Sequence, residues 1–439
     1  MGYAPTTTFR IDPTVKQRAN EVFEELGITM STAVNAFLKA VVREGGLPFD
    51  MRVEANNHAS SPAQKKHENE GRQPLDLQRP TGNASLNHAF IQKKDEFYTQ
   101  YEDIEKEIVN YPGRFNDKTV LCNCDDPFES AFFRYFVLNF EELGLKKLIS
   151  TCYAESSLAG LEYPLAFNST TPHRPYKAEV TQVPEPTELL RPDGSLDIEA
   201  LFTLKSNTLN LLHGDGDFRS DECKELLDQA DIVVTNPPFS LFRDYIKQLE
   251  QYKKKYIILG NINAATYKEI FPLFRDDKIW YGESIRSGDR KFYVPNDYPL
   301  NASGCGIDEN GRRFIRVKGV RWFTNIENGR RHESLQLTEH YTAGAYPKYD
   351  NYDVIDINRT ARIPADYPGI MGVPITFLDK YCPEQFQIVM LANGNARTNI
   401  EPAILEEVGY MPHPEDRGGV GMLNGKRAYA RIFIRRRTS

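Results

Sequence analysis

The pattern of apolar and polar positions from residue 85 onward alternates between two periods. Short apolar runs, several of them β-branched, are separated by stretches with apolar residues at helical spacing. The predicted strands cover 119–124, 147–152, 208–213, 231–235 and 256–260, and the predicted helices lie near 129–143, 240–252 and 265–274. This alternation predicts an α/β fold with a doubly wound parallel sheet. The segment 155–206, which is rich in Pro, Thr and Glu, is predicted to be an insertion between strands.

The first fifty residues follow a separate pattern. Residues 6–11 alternate and place Phe9 and Ile11 on one face of a short strand, and two stretches with apolar residues at helical spacing follow. One strand and two helices in so few residues cannot bury a core alone. We therefore expect residues 1–52 to dimerise by pairing two strands. The polar residues 53–84 are predicted to form a flexible linker.

One short stretch carries most of the chemical information in the chain. After the apolar run 232–235, the predicted strand stops at Asn236-Pro237-Pro238, because proline cannot donate a hydrogen bond to a sheet, and Phe239 precedes a helix. The carboxyl end of a strand in an open α/β sheet is where ligands bind. An amide oxygen, a backbone carbonyl and an aromatic ring at that place suit an exocyclic amine on a flat base. The alternative is a strand-ending turn with a core phenylalanine.

Charge and cysteine content refine this interpretation. The chain has 439 residues and a net charge of −7, yet residues 251–331 hold 16 Lys and Arg against 9 Asp and Glu, and residues 417–439 hold 7 against none. Local basic surface is what contact with nucleic-acid phosphates needs, although ordinary solvated charge is the alternative. The six cysteines include no CxxC pair, so we expect buried thiols and no metal site. No apolar run approaches 18 residues, and we expect a cytoplasmic protein without a membrane segment.

Four stretches together resemble the adenine-specific DNA methyltransferases of the EcoRI type, and the resemblance extends over about residues 85–439. These stretches are 95–100, 122–127, 236–239 and 372–381. The resemblance implies S-adenosylmethionine as the cofactor and a Rossmann-like methyltransferase core in residues 85–275. It also implies that Asn236, Pro237, Pro238 and Phe239 are catalytic, and that the methyl group passes directly from the cofactor to N6 of an adenine that has left the duplex.

The same resemblance assigns cofactor contacts to three places. They are Tyr98 and Thr99, then Asp125, Asp126 and Pro127, and finally Asp217 and Phe218. The first pair would lie near the methionine carboxylate, and the second group begins a cofactor loop whose usual glycines are absent from this chain. In the third place the aspartate would accept the adenine amine of the cofactor, and the phenylalanine would pack on that ring. Asp215 competes for the role of Asp217, and Glu155 is the nearest candidate for the ribose.

Residues 6–52 resemble the N-terminal half of RelB/DinJ-type antitoxins, which implies a ribbon-helix-helix dimer. In such a dimer the outward residues of the paired strands read the major groove, and here they are Thr6, Thr8 and Arg10. A dimerisation unit that has lost its DNA contacts is the alternative. Residues 276–439 would form the target-recognition region. Its candidate contacts to guanine edges or phosphates are Arg286, Arg290, Arg312, Arg313 and Arg321.

Together these expectations describe a site-specific DNA adenine N6-methyltransferase joined to an antitoxin-like domain. The expected partners are double-stranded DNA and a second copy of the chain. A toxin, or the endonuclease of a restriction-modification system, is a further candidate. Two alternatives remain open at this point: a DNA-binding, antitoxin-like transcriptional regulator with a vestigial methyltransferase, and an RNA methyltransferase.

Overall fold

The computed structural model of the chain describes residues 98–124, 127, 130–153, 175–191, 195–294, 300, 304–309 and 311–437. The chain divides into two compact units, Met1–Asp76 and Leu77–Ser439. The predicted ribbon-helix-helix and the linker lie outside the described residues, and so do Thr6, Thr8 and Arg10. These assignments therefore stay predictions.

The strands of the described part are numbered in chain order. They are β1 Thr119–Cys122, β2 Lys147–Thr151, β3 Tyr176–Val180, β4 Thr208–Leu211, β5 Ile232–Thr235, β6 Lys255–Asn261, β7 Trp280–Tyr281, β8 Asp289–Tyr293, β9 Gly306–Ile307, β10 Arg313–Lys318, β11 Val320–Thr324, β12 Ile355–Asp356, β13 Met371–Val373, β14 Phe386–Ala392, β15 Met422–Leu423, β16 Lys426–Arg427 and β17 Arg431–Arg436. The α-helices are α1 Tyr101–Ile108, α2 Ala131–Leu138, α3 Pro186–Leu189, α4 Ile198–Thr203, α5 Asp221–Gln229, α6 Phe242–Gln251, α7 Phe271–Arg275, α8 Ala396–Asn399 and α9 Pro402–Glu407.

The largest sheet has the strand order β4-β3-β2-β1-β5-β6-β11-β7. Its central strands β2, β1, β5 and β6 are parallel. At one edge β3 and β4, and at the other β11 and β7, are antiparallel to their neighbours. The predicted α/β class is confirmed, and all five predicted strands belong to this sheet. The sheet is mixed because the insertion 155–206 contributes β3 and because the chain returns to the sheet as β11.

The central strands are buried on both faces. In β1 and β5 every residue is buried, and successive side chains enter two separate hydrophobic cores. Leu121 and Val233 lie in the core that also contains α5 and α6, while Val120 and Val234 lie in the core with α1 and α2. This double burial explains why these strands are continuous apolar runs in the sequence and do not alternate.

The helix predicted near 129–143 is shorter in the structure. It begins after Ser130, whose Oγ accepts hydrogen bonds from the backbone N–H groups of Phe132 and Phe133 at 3.1 and 3.3 Å. Such a cap satisfies donors that have no partner within the helix. The helix ends at Leu138, with Asn139 as its C-cap, and a turn with Gly144 at φ +63° leads into β2. That positive φ is one that glycine adopts without a steric penalty.

Two smaller sheets come from the second half of the chain. Strands β8, β10 and β9 form an antiparallel sheet, and β12, β13, β17 and β14 form a four-stranded one. Ile388 and Ile434 of the four-stranded sheet lie in the same hydrophobic core as Val233, so this sheet packs on one face of the main sheet. The main sheet includes β7 and β11 from beyond residue 275, and the domain boundary at that residue stays a prediction. Within the described part, no helix is long and apolar enough to cross a membrane.

Candidate active site

The order of the parallel strands reverses between β1 and β5. From β1 the chain continues to β2 on one side, and from β5 it continues to β6 on the other. Connections that leave in opposite directions open a crevice outside the carboxyl ends of the two strands, and ligands of open α/β sheets bind in that crevice. Asn123 directly follows β1 and Asn236 directly follows β5, so both asparagines lie at this position.

The turn after β5 holds the predicted catalytic residues. Asn236 is 4% exposed, Pro237 is buried, and Pro238 and Phe239 are half-buried. A 3-10 turn at Phe239–Leu241 follows, closed by a 3.0 Å hydrogen bond from the backbone N–H of Leu241 to the carbonyl of Pro238, and it leads into α6. The prolines end the strand and fix the backbone. The turn therefore places an amide side chain, rigid backbone carbonyls and an aromatic ring at the carboxyl end of β5, beside the crevice.

Helix α6 connects this turn to the end of β1. The hydroxyl of Tyr245, which lies on α6, donates a hydrogen bond to Oδ1 of Asn123. Tyr245 is 1% exposed, and its burial raises the pKa of the phenol well above its usual value, so the hydroxyl remains a donor. Sequence reasoning did not find this contact. The signal was a tyrosine within the apolar face of α6, because a buried phenol normally has a hydrogen-bond partner.

The same helix also supports the predicted adenine-binding turn after β4. The ring of Phe218 meets the ring of Tyr245 edge to face, with centroids 5.0 Å apart, and the Gln248 side-chain amide donates to the Phe218 carbonyl at 2.9 Å. Gly216 has φ +78°, and a Cβ there would come within 2.1 Å of the carbonyl oxygen of Cys152. Only glycine fits this approach to the end of β2. Helix α6 thus holds the predicted target-base turn, the end of β1 and the 216–218 turn together.

The carboxylate of Asp217 is bound to a neighbour that sequence reasoning missed. Arg219 donates from its backbone N–H and its Nε to Asp217 Oδ1 at 2.8 and 2.9 Å. The hydrogen-bonded guanidinium lowers the pKa of Asp217, which keeps the side chain an anionic acceptor. The competing residue Asp215 is exposed, and its Oδ1 accepts from the backbone N–H of Asp217 at 3.0 Å.

The structure places Tyr98 and Thr99 beside the start of α1. The backbone of Tyr98 pairs with Tyr293 of β8 through hydrogen bonds of 3.0 and 3.2 Å. Thr99 Oγ1 and Gln100 Nε2 are buried and have no hydrogen-bond partner among the described residues. Buried polar atoms normally have one. Two such donors fit the predicted position near a carboxylate, and Gln100 is an addition to the predicted set.

The predicted cofactor loop after β1 is described only in part. Pro127 is buried, while Asp125, Asp126 and Glu155 lie outside the described residues. The loop leads into α2, which packs against α1, with the rings of Tyr101 and Tyr135 5.6 Å apart. The Tyr98–Thr99 segment is thereby connected to the helix that follows the loop.

The five predicted arginines differ in their surroundings. Arg286 and Arg312 are exposed, each near a carboxylate, Glu283 and Asp308 respectively. Arg290 and Arg313 are half-buried. Arg321 is 4% exposed and makes a two-point ion pair with Asp379, with distances of 2.7 and 2.9 Å. A buried, fully bonded guanidinium favours a structural role for Arg321 over DNA contact.

Comparison with known proteins identifies the family of the chain. Residues 85–437 match the family described as "Adenine-specific methyltransferase EcoRI". The chain belongs to this family of adenine-specific methyltransferases. It is 45% identical to the Type II methyltransferase M.EcoRI of Escherichia coli, over 72% of this chain and 92% of that protein. It is 36% identical to M.MgeORF184P of Mycoplasma genitalium and 35% identical to M.MpnI of Mycoplasma pneumoniae, in both cases over 80% of this chain and 98% of the relative.

The family assignment confirms the predicted function class, an adenine-specific DNA methyltransferase of the type found in restriction-modification systems. The N-terminal resemblance is also confirmed, since residues 6–88 match the RelB antitoxin family. This match extends through the range predicted to be a linker. No solved structure shows a significant match to the chain.

Proposed function

We propose that this methyltransferase uses S-adenosylmethionine to methylate N6 of an adenine that is flipped out of duplex DNA. The observation that carries the proposal is the position of the Asn236–Phe239 turn. It lies at the reversal of strand order, next to the end of β1, and α6 connects it to the predicted adenine-binding turn. A target base and a cofactor held at these places would meet in one crevice.

The turn supplies the chemistry of the target amine. The lone pair of adenine N6 is delocalised into the ring, which makes the amine a poor nucleophile. Asn236 Oδ1 and the Pro237 carbonyl would each accept one N–H bond and draw N6 towards tetrahedral geometry, which frees the lone pair for attack. Phe239 would stack on the base. Positioning and fixed dipoles of this kind lower a barrier without a general base of unusual pKa.

The cofactor would supply an electrophilic methyl group. Thr99 and Gln100 offer buried donors for its carboxylate, and Asp217 offers an anionic acceptor for its adenine amine. Asp125, Asp126 and Pro127 would add contacts from the loop after β1. Phe218 would pack on the cofactor adenine.

The proposal is tested by incubating the protein with methyl-labelled S-adenosylmethionine and either duplex DNA or RNA. Label recovered as N6-methyladenine in DNA, and not in RNA, is the expected result. Methylation of RNA alone would contradict the proposal and would mean that the protein is an RNA methyltransferase. Absence of transfer together with absence of cofactor binding would indicate a vestigial enzyme that serves as a regulator.

The role of Asp217 gives a quantitative prediction. Asp217→Ala should weaken binding of S-adenosylmethionine by about 1–3 kcal/mol, because the proposed hydrogen bond to the cofactor adenine is lost. Isothermal calorimetry measures this change, and Asp215→Ala is the matched control in the same turn. If the control weakens binding and Asp217→Ala does not, the acceptor role belongs to Asp215.

The N-terminal residues would dimerise the protein through paired strands and contact DNA through Thr6, Thr8 and Arg10. Deletion of residues 1–52 should then lower the oligomeric state measured by light scattering. It should also weaken DNA binding and its dependence on salt, because phosphate contacts are lost, while the methylated sequence stays the same. If the truncated protein keeps the oligomeric state of the full-length chain, dimerisation depends on the methyltransferase part and not on the N-terminal residues.

A further inference from the structure

The three-stranded sheet of β8, β10 and β9 leaves the main sheet at the edge that carries Asn236. Strand β11 runs antiparallel to β6 with Val320 opposite Asn261, so β11 begins at the carboxyl ends of the parallel strands. Strand β7 is antiparallel to β11, so the chain leaves Tyr281 in the direction of that same edge. The segment 282–319, which contains the small sheet, thus runs from β7 towards the active-site edge and rejoins the main sheet at that edge.

One face of this small sheet is packed into the protein. Phe292 of β8 lies opposite Ile315 of β10, and both are buried together with Val317 in the core that contains α1 and α2. Phe239 of the catalytic turn packs against the same core. Because side chains alternate along a strand, the residues between these apolar ones point to the opposite face.

The opposite face combines cations with aromatic rings. Lys291 lies directly opposite Arg316, and Tyr293 lies directly opposite Phe314. The Lys291 ammonium is 4.8 Å from the centroid of Tyr293 and 4.5 Å from that of Phe314, and the Arg312 guanidinium is 4.0 Å from Tyr293. These contacts hold the cations in place over the rings.

The charge on this face is not balanced within the described residues. Asp308 is 3.8 Å from Lys291 and 3.1 Å from Arg312, so one carboxylate serves two cations, and Asp289 is 3.5 Å from Arg316. Lys318, opposite Asp289, adds a fourth cation. Like charges directly opposite each other on a sheet are unfavourable for folding. The four cations named on this face exceed its two carboxylates, and an external polyanion would offset the remaining positive charge.

We propose that this face, defined by Lys291, Arg312, Arg316 and Lys318, binds the phosphate backbone of the duplex that flanks the target adenine. The inference rests on the proposed function, because it takes DNA as the substrate. Duplex DNA is favoured as the partner since the face is positive within a chain of net charge −7 and is connected to the edge that carries Asn236. The contact positions the duplex and carries no sequence information.

The test is the double variant Lys291→Gln with Arg316→Gln, assayed for binding to a labelled duplex over a range of salt concentrations. Each phosphate contact contributes a slope of about 0.9 to the decrease of log K with log salt. The variant should therefore lose about 2 from the slope and bind specific and unrelated duplexes more weakly by a similar factor. The rate of methyl transfer at saturating DNA and the affinity for S-adenosylmethionine should stay unchanged.

Two controls accompany this variant. Lys146→Gln with Lys253→Gln removes the same charge from exposed lysines that precede β2 and β6, at the opposite edge of the sheet, and should keep the wild-type slope. Lys291→Arg with Arg316→Lys keeps both charges and should keep the slope as well. An unchanged slope in the glutamine pair, or an equal loss in the lysine control, overturns the inference. Neither result affects the proposed function, which depends on the methylation of DNA by the unaltered protein.

Discussion

Asn236→Ala is expected to reduce methyl transfer to DNA by roughly a hundredfold to a thousandfold or more, which is the scale seen when one fixed polar group is removed from a reacting centre. The variant loses the side-chain acceptor that is proposed to draw the target amine towards tetrahedral geometry, while Pro237 and Phe239 remain. Binding of S-adenosylmethionine should stay nearly intact, because its proposed contacts lie on the turns after β1 and β4 and before α1. Incorporation of labelled methyl groups and calorimetric cofactor binding measure the two effects separately.

The matched control for this experiment is Asn399→Ala, which removes an exposed asparagine side chain at the end of α8. It should leave both transfer and cofactor binding unchanged. Near-normal transfer by Asn236→Ala would contradict the catalytic assignment of the turn. If cofactor binding is lost to the same extent as methyl transfer, Asn236 instead has a structural role in the crevice.

The parts of the fold that sequence reasoning predicted are those with local signals. Strands β1 and β5 are buried on both faces, so their apolar runs are unbroken and easy to recognise. The turn that is predicted to be catalytic could be located in the sequence because Pro237 and Pro238 end a strand by a local mechanism. The connection of this turn to the end of β1 depends on residues 123 and 245, which are far apart in sequence. Two residues so far apart in sequence leave no local pattern, so their contact could be recognised only in the structure.

Charge was the least informative signal about individual residues. The sequence shows a basic region, but it does not show which of its cations are buried. Arg290 and Lys291 are adjacent, yet β8 directs them to opposite faces: Arg290 lies on the inner face near Asp103, and Lys291 lies on the outer face. The ion-pair partner of Arg321 is Asp379, which lies in residues 372–381, a stretch recognised by resemblance alone. The sequence does not show that these two residues pair, and the structure does.

The side chain of Asp379 is the centre of a buried ion-pair cluster. It lies in the 3-10 turn Ile375–Lys380 and accepts two hydrogen bonds from Arg321 of β11, while Arg330 lies 3.4 Å from its Oδ1. All three side chains are less than a tenth exposed. Arg321 also donates to the carbonyl of Arg286 at 2.9 Å. The cluster therefore connects the main sheet to the C-terminal segment and to the start of the segment that carries β8 and β10.

Asp379→Ala is expected to lower the free energy of unfolding by about 3–5 kcal/mol, because it leaves two buried guanidinium groups without their carboxylate. For each protein, the midpoint of urea unfolding multiplied by the slope of the transition gives the free energy of unfolding, and the difference between variant and wild type is this change. The control Glu415→Ala breaks an exposed ion pair with Arg427, whose atoms are 3.1 Å apart, and should cost no more than about 1 kcal/mol. Equal effects of the two substitutions would mean that the buried cluster does not stabilise the fold more than a surface pair. Since Arg321 holds the backbone of Arg286, Asp379→Ala should also weaken DNA binding even at temperatures where the protein remains folded.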